Sequence, residues 1–200
     1  HMGGYNVIVQ DVQETALDKA AQTIEKSLAK FVSKEKITEG DKKATQERIR
    51  FAQELDALES ADLVVEAIIE DETIKTGIFT QLDELLKPEA ILASNTSSIS
   101  ITRLASATKR PGQVIGMHFM NPVPLMKLVE IIRGAQTADA TYTTIKEVSI
   151  KLGKTTVVSK DFPGFISNRV LMPLLNEAMF ALYEGVASAE DIDTVMKLGM

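Results

Sequence analysis

Short apolar runs alternate along this chain with stretches in which apolar residues recur at helical spacing. Tyr5 to Gln10 is such a run, and it predicts a strand ending at Asp11. From about Val12 to Val32, Leu17, Ala20, Ala21, Ile24, Leu28 and Phe31 mark one helical face. Thr38 opens a second helix, with Asp41 three residues on near its first turn. Asp62 to Ile69 is almost continuously apolar, as buried parallel strands are. Glu72 to Leu86 predicts an amphipathic helix stopped before Pro88. Ala90 to Ala93 predicts a buried strand, and Ser94 to Ser98 its polar exit loop. Ile101 to Ala107 predicts a short helix, Ala138 to Leu152 a longer one, and Thr155 to Ser159 a strand. Alternation of this kind predicts an α/β fold built on a doubly wound, mainly parallel sheet. Ligands in such sheets bind beyond the carboxyl ends of the strands. Asp11, Glu70, Ser94 to Ser98 and His118 are all expected there.

The pattern breaks at Asp161-Phe162-Pro163-Gly164. A long helix is expected from Phe165 to Tyr183. Its apolar residues, Val170, Leu171, Leu174, Leu175, Met179 and Leu182, wrap widely round it, which predicts burial on more than one side. Pro173 predicts a kink within it. Ser188 then caps a last helix, with Asp191 in a capping-box-like position. The shift near Phe162 divides the chain into a sheet domain, residues 1–161, and the start of an all-α domain, residues 162–200.

Chemistry concentrates between Val114 and Gly134. Two apolar runs, Val114 to Met117 and Leu128 to Ile132, flank a loop holding Pro122 and Pro124. The prolines forbid a helix there and favour extended geometry before each of them. If the chain reverses at Pro124, His118 and Glu130 lie equally far from the turn, and antiparallel pairing sets them opposite each other. A carboxylate beside an imidazole fixes its tautomer and stabilises its charged form, which is how a general base is oriented. A lone histidine is more often a satisfied polar residue. Here the only other histidine is His1, whose His-Met start reads as a vector remnant, and Glu130 sits in an apolar run where an unpaired carboxylate is costly.

Composition narrows the function classes. Apolar content of 44% is ample for a core, and the net charge is -6. No basic block is present, which argues against nucleic acid. Lys34, Lys36, Lys42 and Lys43 are interspersed with Glu35, Glu39 and Asp41 and read as a solvated face. The absence of cysteine excludes disulfides and thiol catalysis and fits a reducing, cytoplasmic setting. With one native histidine, no metal site is expected. No run approaches the roughly 18 apolar residues of a membrane span.

A strand ending in an acidic residue and followed by a helix is half of a Rossmann-like dinucleotide site. Asp11 is placed to take the adenosine ribose hydroxyls, which favours NAD over NADP. The other half, a glycine-rich turn, is not found, because Gly3-Gly4 has no strand before it and no helix after it.

Three segments carry a resemblance that covers Tyr5 to Met200: Leu92-Ala-Ser-Asn-Thr-Ser-Ser-Ile-Ser-Ile-Thr, Gly116-Met-His-Phe-Met-Asn-Pro-Val-Pro-Leu-Met-Lys-Leu-Val-Glu, and Phe162-Pro-Gly-Phe-Ile-Ser-Asn-Arg-Val. The chain resembles the 3-hydroxyacyl-CoA dehydrogenases, and most nearly their bacterial short-chain branch. The resemblance implies reversible hydride transfer between NAD and C3 of a 3-hydroxyacyl-CoA, with 3-hydroxybutyryl-CoA and acetoacetyl-CoA as the substrate pair. It implies that His118 takes the hydroxyl proton and that Glu130 orients it. Ser97 and Asn168 match residues that hold the substrate oxygen and position His118, and Asn121 matches one beside the nicotinamide. Asp11, Glu70 and Lys75 match cofactor contacts, with Lys75 near the ribose or the CoA. On the residues alone each also has a plainer alternative: Ser97 as a helix cap, Asn168 as a solvated helix residue and Lys75 as a surface lysine.

The resemblance also implies parts that these residues do not include: a first strand with its glycine-rich turn, and most of a helical domain that forms a homodimer in the full-length protein. An uncovered edge on the strand at Tyr5 to Gln10 predicts self-association. Two other readings compete. One is a non-catalytic relative that keeps the fold for binding or structure, as lens lambda-crystallin does. The other is a section of a multifunctional fatty-acid oxidation protein.

Overall fold

The structure, a computed structural model, describes residues 3–200, so His1 lies outside the described residues. Strands β1 (Val7–Gln10) and β2 (Ile49–Ala52) form a two-stranded parallel sheet, with Val7 opposite Ile49 and Gln10 opposite Ala52. They are joined through α1 (Glu14–Ser33) and α2 (Glu39–Glu47). The second helix begins in a full capping box. Asp41 N donates to Thr38 Oγ1 at 3.0 Å, and Thr38 N donates to Asp41 Oδ2 at 2.9 Å. No strand was expected at Ile49–Ala52, whose four residues are too few, with Arg50 among them, to show a period.

A second sheet holds five strands in spatial order: β3 (Leu63–Glu66), β4 (Ile91–Ser94), β5 (Val114–Phe119), β6 (Leu128–Arg133) and β7 (Thr155–Lys160). Neighbours run parallel except β5 and β6, which pair antiparallel. Among the described residues, β1 is paired on one side only, by β2. Helices α3 (Glu72–Leu85), α4 (Ile101–Ser106) and α5 (Asp139–Lys151) link the strands, and α6 (Ser167–Tyr183) and α7 (Ala189–Leu198) follow the sheet.

Alternation along the strands divides the core into two layers. Ile91, Ala93, Ile115, Met117, Val129 and Ile131 pack with Ile145 of α5. Leu92, Val114 and Ile132 pack on the opposite face with Phe79 and Leu82 of α3, Ile101 and Leu104 of α4, and Phe165. His118 and Glu130 follow the parity of the second set, so both face the layer that holds α4 and Phe165.

Gly116 is what lets α4 lie so close to β5. A Cβ there would meet Ile132 Cβ at 2.7 Å and Ile101 Cδ1 at 3.1 Å. Gly116→Ala is expected to lower stability by about 1–3 kcal/mol through overpacking. A thermal unfolding midpoint unchanged from the parent would show that the helix yields freely.

Two expectations need correcting. The strand foreseen at Asp62 to Ile69 stops at Glu66, because the Glu66 carboxylate folds back to accept from Ile68 N at 2.7 Å and turns the chain. Helix α6 starts at Ser167 and not at Phe165, and none of its residues is buried. Val170, Leu171, Leu174, Leu175, Met179 and Leu182 are all exposed, because no element of the described residues covers them. Pro173 lies inside one continuous helical span.

Candidate active site

Strands β5 and β6 place His118 directly opposite Glu130, the register that reversal at Pro124 requires. His118 Nδ1 and Glu130 Oε2 are 2.9 Å apart, and both residues are buried. An ionised carboxylate can only accept, so Nδ1 carries the proton and Nε2 presents its lone pair. Ser97 Oγ lies 3.1 Å from Nε2 and donates to it. The imidazole is held at both ends, and the Phe165 ring packs against it, ring centres 6.0 Å apart and planes inclined at 61°.

Glu130 is 1% exposed and fully satisfied. Ile166 N and Ser167 N each donate to Oε1 at 3.0 Å, and Ser167 Oγ donates to Oε2 at 2.7 Å. Burial opposes its ionisation. Hydrogen bonds from the Ser167 hydroxyl, His118 and the two amides outweigh that penalty and hold the carboxyl below the usual carboxylate range. The amides come from the turn into α6, where Gly164 and Phe165 both take positive φ, +80° and 49°. Asn168, one residue further on, donates from Nδ2 to Ser97 O at 3.2 Å. The structure thus brings His118, Glu130, Ser97 and Asn168 into one hydrogen-bonded group.

Ser97 is positioned from the other side by a carboxylate network. Glu70 Oε1 accepts from Thr96 Oγ1 at 2.5 Å, from Ser97 N at 2.8 Å and from Ser98 N at 3.2 Å. Partial burial opposes ionisation of Glu70, but the bonds from Thr96 and Ser97 and the nearby Lys75 charge win, and its carboxyl is held low. Glu70 therefore lies in the loop beyond β3, and the carboxylate at the strand end is Glu66. Lys75, expected at the surface on its residue type alone, is 1% exposed. Its Nζ donates to Glu66 Oε1 at 2.6 Å and to Ile68 O at 3.2 Å, and lies 3.4 Å from Glu70 Oε2. Glu66 Oε2 in turn accepts from Ser94 Oγ at 2.6 Å, and Asn95 Oδ1 accepts from Phe119 N at 2.8 Å. These bonds fix the β4 exit loop to the ends of β3 and β5.

Asp11 and Asn121 stand outside this group. Asp11 follows β1 directly, and its Oδ1 accepts from Gln13 N at 2.9 Å. Asn121 is exposed and precedes Pro122 across a cis peptide bond. A dinucleotide fits this edge. Asp11 follows β1 with its second carboxylate oxygen unused by Gln13, and exposed Val12 after β1 and Ile68 and Ile69 after β3 offer apolar cover for a base. Sequence reasoning missed Glu66 and Ser167, and it placed Asn95 and Thr96 in the exit loop without giving either a role. Only Glu66, a carboxylate inside an apolar run like Glu130, left a readable sign.

A family model described as "3-hydroxyacyl-CoA dehydrogenase, NAD binding domain" matches residues 1–162, and one described as "3-hydroxyacyl-CoA dehydrogenase, C-terminal domain" matches residues 164–200. The chain is 54% identical over 197 residues to a probable 3-hydroxybutyryl-CoA dehydrogenase of Deinococcus radiodurans, covering 98% of this chain and 70% of that protein. It is also 54% identical over 198 residues to the 3-hydroxybutyryl-CoA dehydrogenase of Bradyrhizobium diazoefficiens, covering 99% and 68%. Among solved structures, (S)-3-hydroxybutyryl-CoA dehydrogenase from Ralstonia eutropha superposes with a TM-score of 0.96 at 46% identity, covering 99% of this chain and 70% of that one. By these matches along its whole length, the chain belongs to the 3-hydroxyacyl-CoA dehydrogenase family.

Proposed function

We propose that this chain carries the NAD-dependent oxidation of a 3-hydroxyacyl-CoA at C3, and its reverse, with 3-hydroxybutyryl-CoA and acetoacetyl-CoA as the substrate pair. The observation that carries the reading is the Ser97–His118–Glu130 relay, in which a buried carboxylate holds the proton on Nδ1 and keeps Nε2 of His118 as the acceptor. Bound NAD supplies the hydride acceptor. His118 takes the hydroxyl proton at Nε2, and Glu130 stabilises the imidazolium that results. Ser97 and protonated His118 donate to the developing oxyanion, and Asn168 holds the Ser97 loop in place. Asp11 binds the adenosine ribose, and Asn121 lies beside the nicotinamide. Glu70 faces the cofactor at the β3 end. Lys75, enclosed as it is, serves that contact by fixing Glu70.

The CoA moiety has a matching surface. Phe31 on α1 and Pro122, Pro124 and Leu125 in the loop after β5 line an apolar groove, and Lys30, Lys34 and Lys36 rim it. Phosphates of CoA complement the three lysines, and the pantetheine arm suits the apolar floor. The solvated face expected around Lys34 thus gains a role that becomes visible only when the helix meets the loop. Residues 1–161 form the cofactor domain in this reading, and residues 162–200 begin a helical domain. The exposed apolar face of α6 is then covered in a homodimer of the full-length protein. No helix among the described residues is long and apolar enough to cross a membrane. A cytoplasmic enzyme is the reading adopted.

The test is NADH consumption with acetoacetyl-CoA, for the parent chain and for Lys34→Glu. Turnover is expected in both, with KM for acetoacetyl-CoA raised about tenfold in the variant, one charge-assisted contact being lost, and KM for NADH unchanged. Folded protein without turnover would overturn the assignment, and an unchanged KM would remove the groove from it.

A further inference from the structure

We propose that Ser167 is a positioning residue for the His118–Glu130 pair: its hydroxyl shares one carboxylate oxygen with the imidazole and so sets how firmly Glu130 holds the Nδ1 proton. The two oxygens of Glu130 are served differently. Oε1 accepts the backbone amides of Ile166 and Ser167, which any residue but proline would provide at these positions. Oε2 accepts both His118 Nδ1 at 2.9 Å and Ser167 Oγ at 2.7 Å. A donor on a carboxylate oxygen draws charge from it and weakens a second bond to the same oxygen.

The hydroxyl is not engaged in helix capping. The N-cap of α6 is Ile166, and it makes no side-chain cap bond. Ser167, the first residue of α6, instead turns its Oγ back onto the sheet. The preceding turn supports this aim, since Phe165 is buried against the His118 ring and holds the first amides of α6 over Glu130. An imidazole that grips its proton too tightly accepts one readily but returns it slowly. Ser167 keeps the pair between those extremes, and it places the first turn of α6 among the working parts of the site.

The test uses the whole chain and begins with a readout independent of turnover. The His118 Nδ1 proton is observed by NMR and assigned by its loss in His118→Ala. In Ser167→Ala this resonance is expected to move downfield as the Glu130 bond tightens, and in Ser167→Thr, which keeps the hydroxyl, to return towards the parent position. No movement in Ser167→Ala, or the same movement in both variants, would overturn the proposal. The kinetic arm rests on the dehydrogenase reading. There, kcat for acetoacetyl-CoA reduction falls about tenfold in Ser167→Ala, the effect of one hydrogen bond to a charged group, with KM unchanged and recovery in Ser167→Thr. A parent chain without turnover would count against the dehydrogenase reading and leave the NMR shift to decide the role of Ser167.

Discussion

His118→Ala is expected to lower kcat for NADH-dependent acetoacetyl-CoA reduction by roughly 10²- to 10⁴-fold, the usual contribution of a general acid–base group. The expectation follows from geometry. Nε2 is the one ring nitrogen that carries a lone pair, and Ser97 Oγ, the donor 3.1 Å from it, is the group a substrate oxygen would have to meet beside it. The variant removes both the proton carrier and the cation that faces the oxyanion. KM for NADH should hold, because the proposed cofactor contacts, Asp11 and the apolar edge beyond β1 and β3, stand apart from the hydrogen bonds of His118 to Ser97 and Glu130. The fold should also hold. The ring is a small part of a core otherwise built from Leu92, Ile101, Leu104, Val114 and Ile132, so the variant should still unfold in one cooperative step. Steady-state kinetics beside a thermal melt would settle it. A variant that kept parent kcat would shift the proton transfer to Ser97 or to water.

Much of this site was legible because a strand has a period of two. With His118 and Glu130 equidistant from Pro124, one assumption about the turn fixed their pairing, and the observed register follows it. Thr38 and Ser188 were legible as caps because capping depends on residues three apart in the chain. The Glu66–Lys75 pair was not legible. Two residues nine apart, one at a strand end and one on the next helix, meet only when that helix packs back on the sheet. The end of the strand was misread for a related reason: the run Val64 to Ile69 gives no sign that Glu66 folds back and ends the strand, so Glu70 follows it at the end of a loop and not directly. The wide apolar surface of α6 was read as burial, yet an apolar stripe reports only that a face can be covered. Ser167 carried no sign, since a serine in the first turn of a helix is ordinary and its target lies 37 residues earlier.

A carboxylate buried at the centre of such a network makes activity and stability fall together. Glu130→Gln is expected to reduce kcat by roughly 10²- to 10⁴-fold and to destabilise the protein at pH 7 by about 1.5–3 kcal/mol, the value of hydrogen bonds to a charged group. In the favoured orientation the amide oxygen keeps the Ile166 and Ser167 amides, so the NH2 group faces His118 and the Ser167 hydroxyl. Nδ1 must then accept, the proton moves to Nε2, and the imidazole meets the substrate hydroxyl in the tautomer that cannot take its proton. The acid range separates this charge effect from a packing defect. The folded-state pKa of Glu130 lies below its unfolded value, burial being outweighed by the hydrogen bonds it accepts. Its stabilisation is therefore fully present above the unfolded value, about 4.3, and is lost as pH falls through the folded one. Asp161 behaves alike, since its burial is outweighed by Ser100 and Thr102, and it supplies an acid-sensitive background common to parent and variant. Chemical denaturation at pH 7 and again below pH 4 should thus show the gap between parent and Glu130→Gln narrowing as pH falls. A gap that stayed constant with pH would trace the loss to shape alone, and the charge on Glu130 would have no part in holding α6 to the sheet.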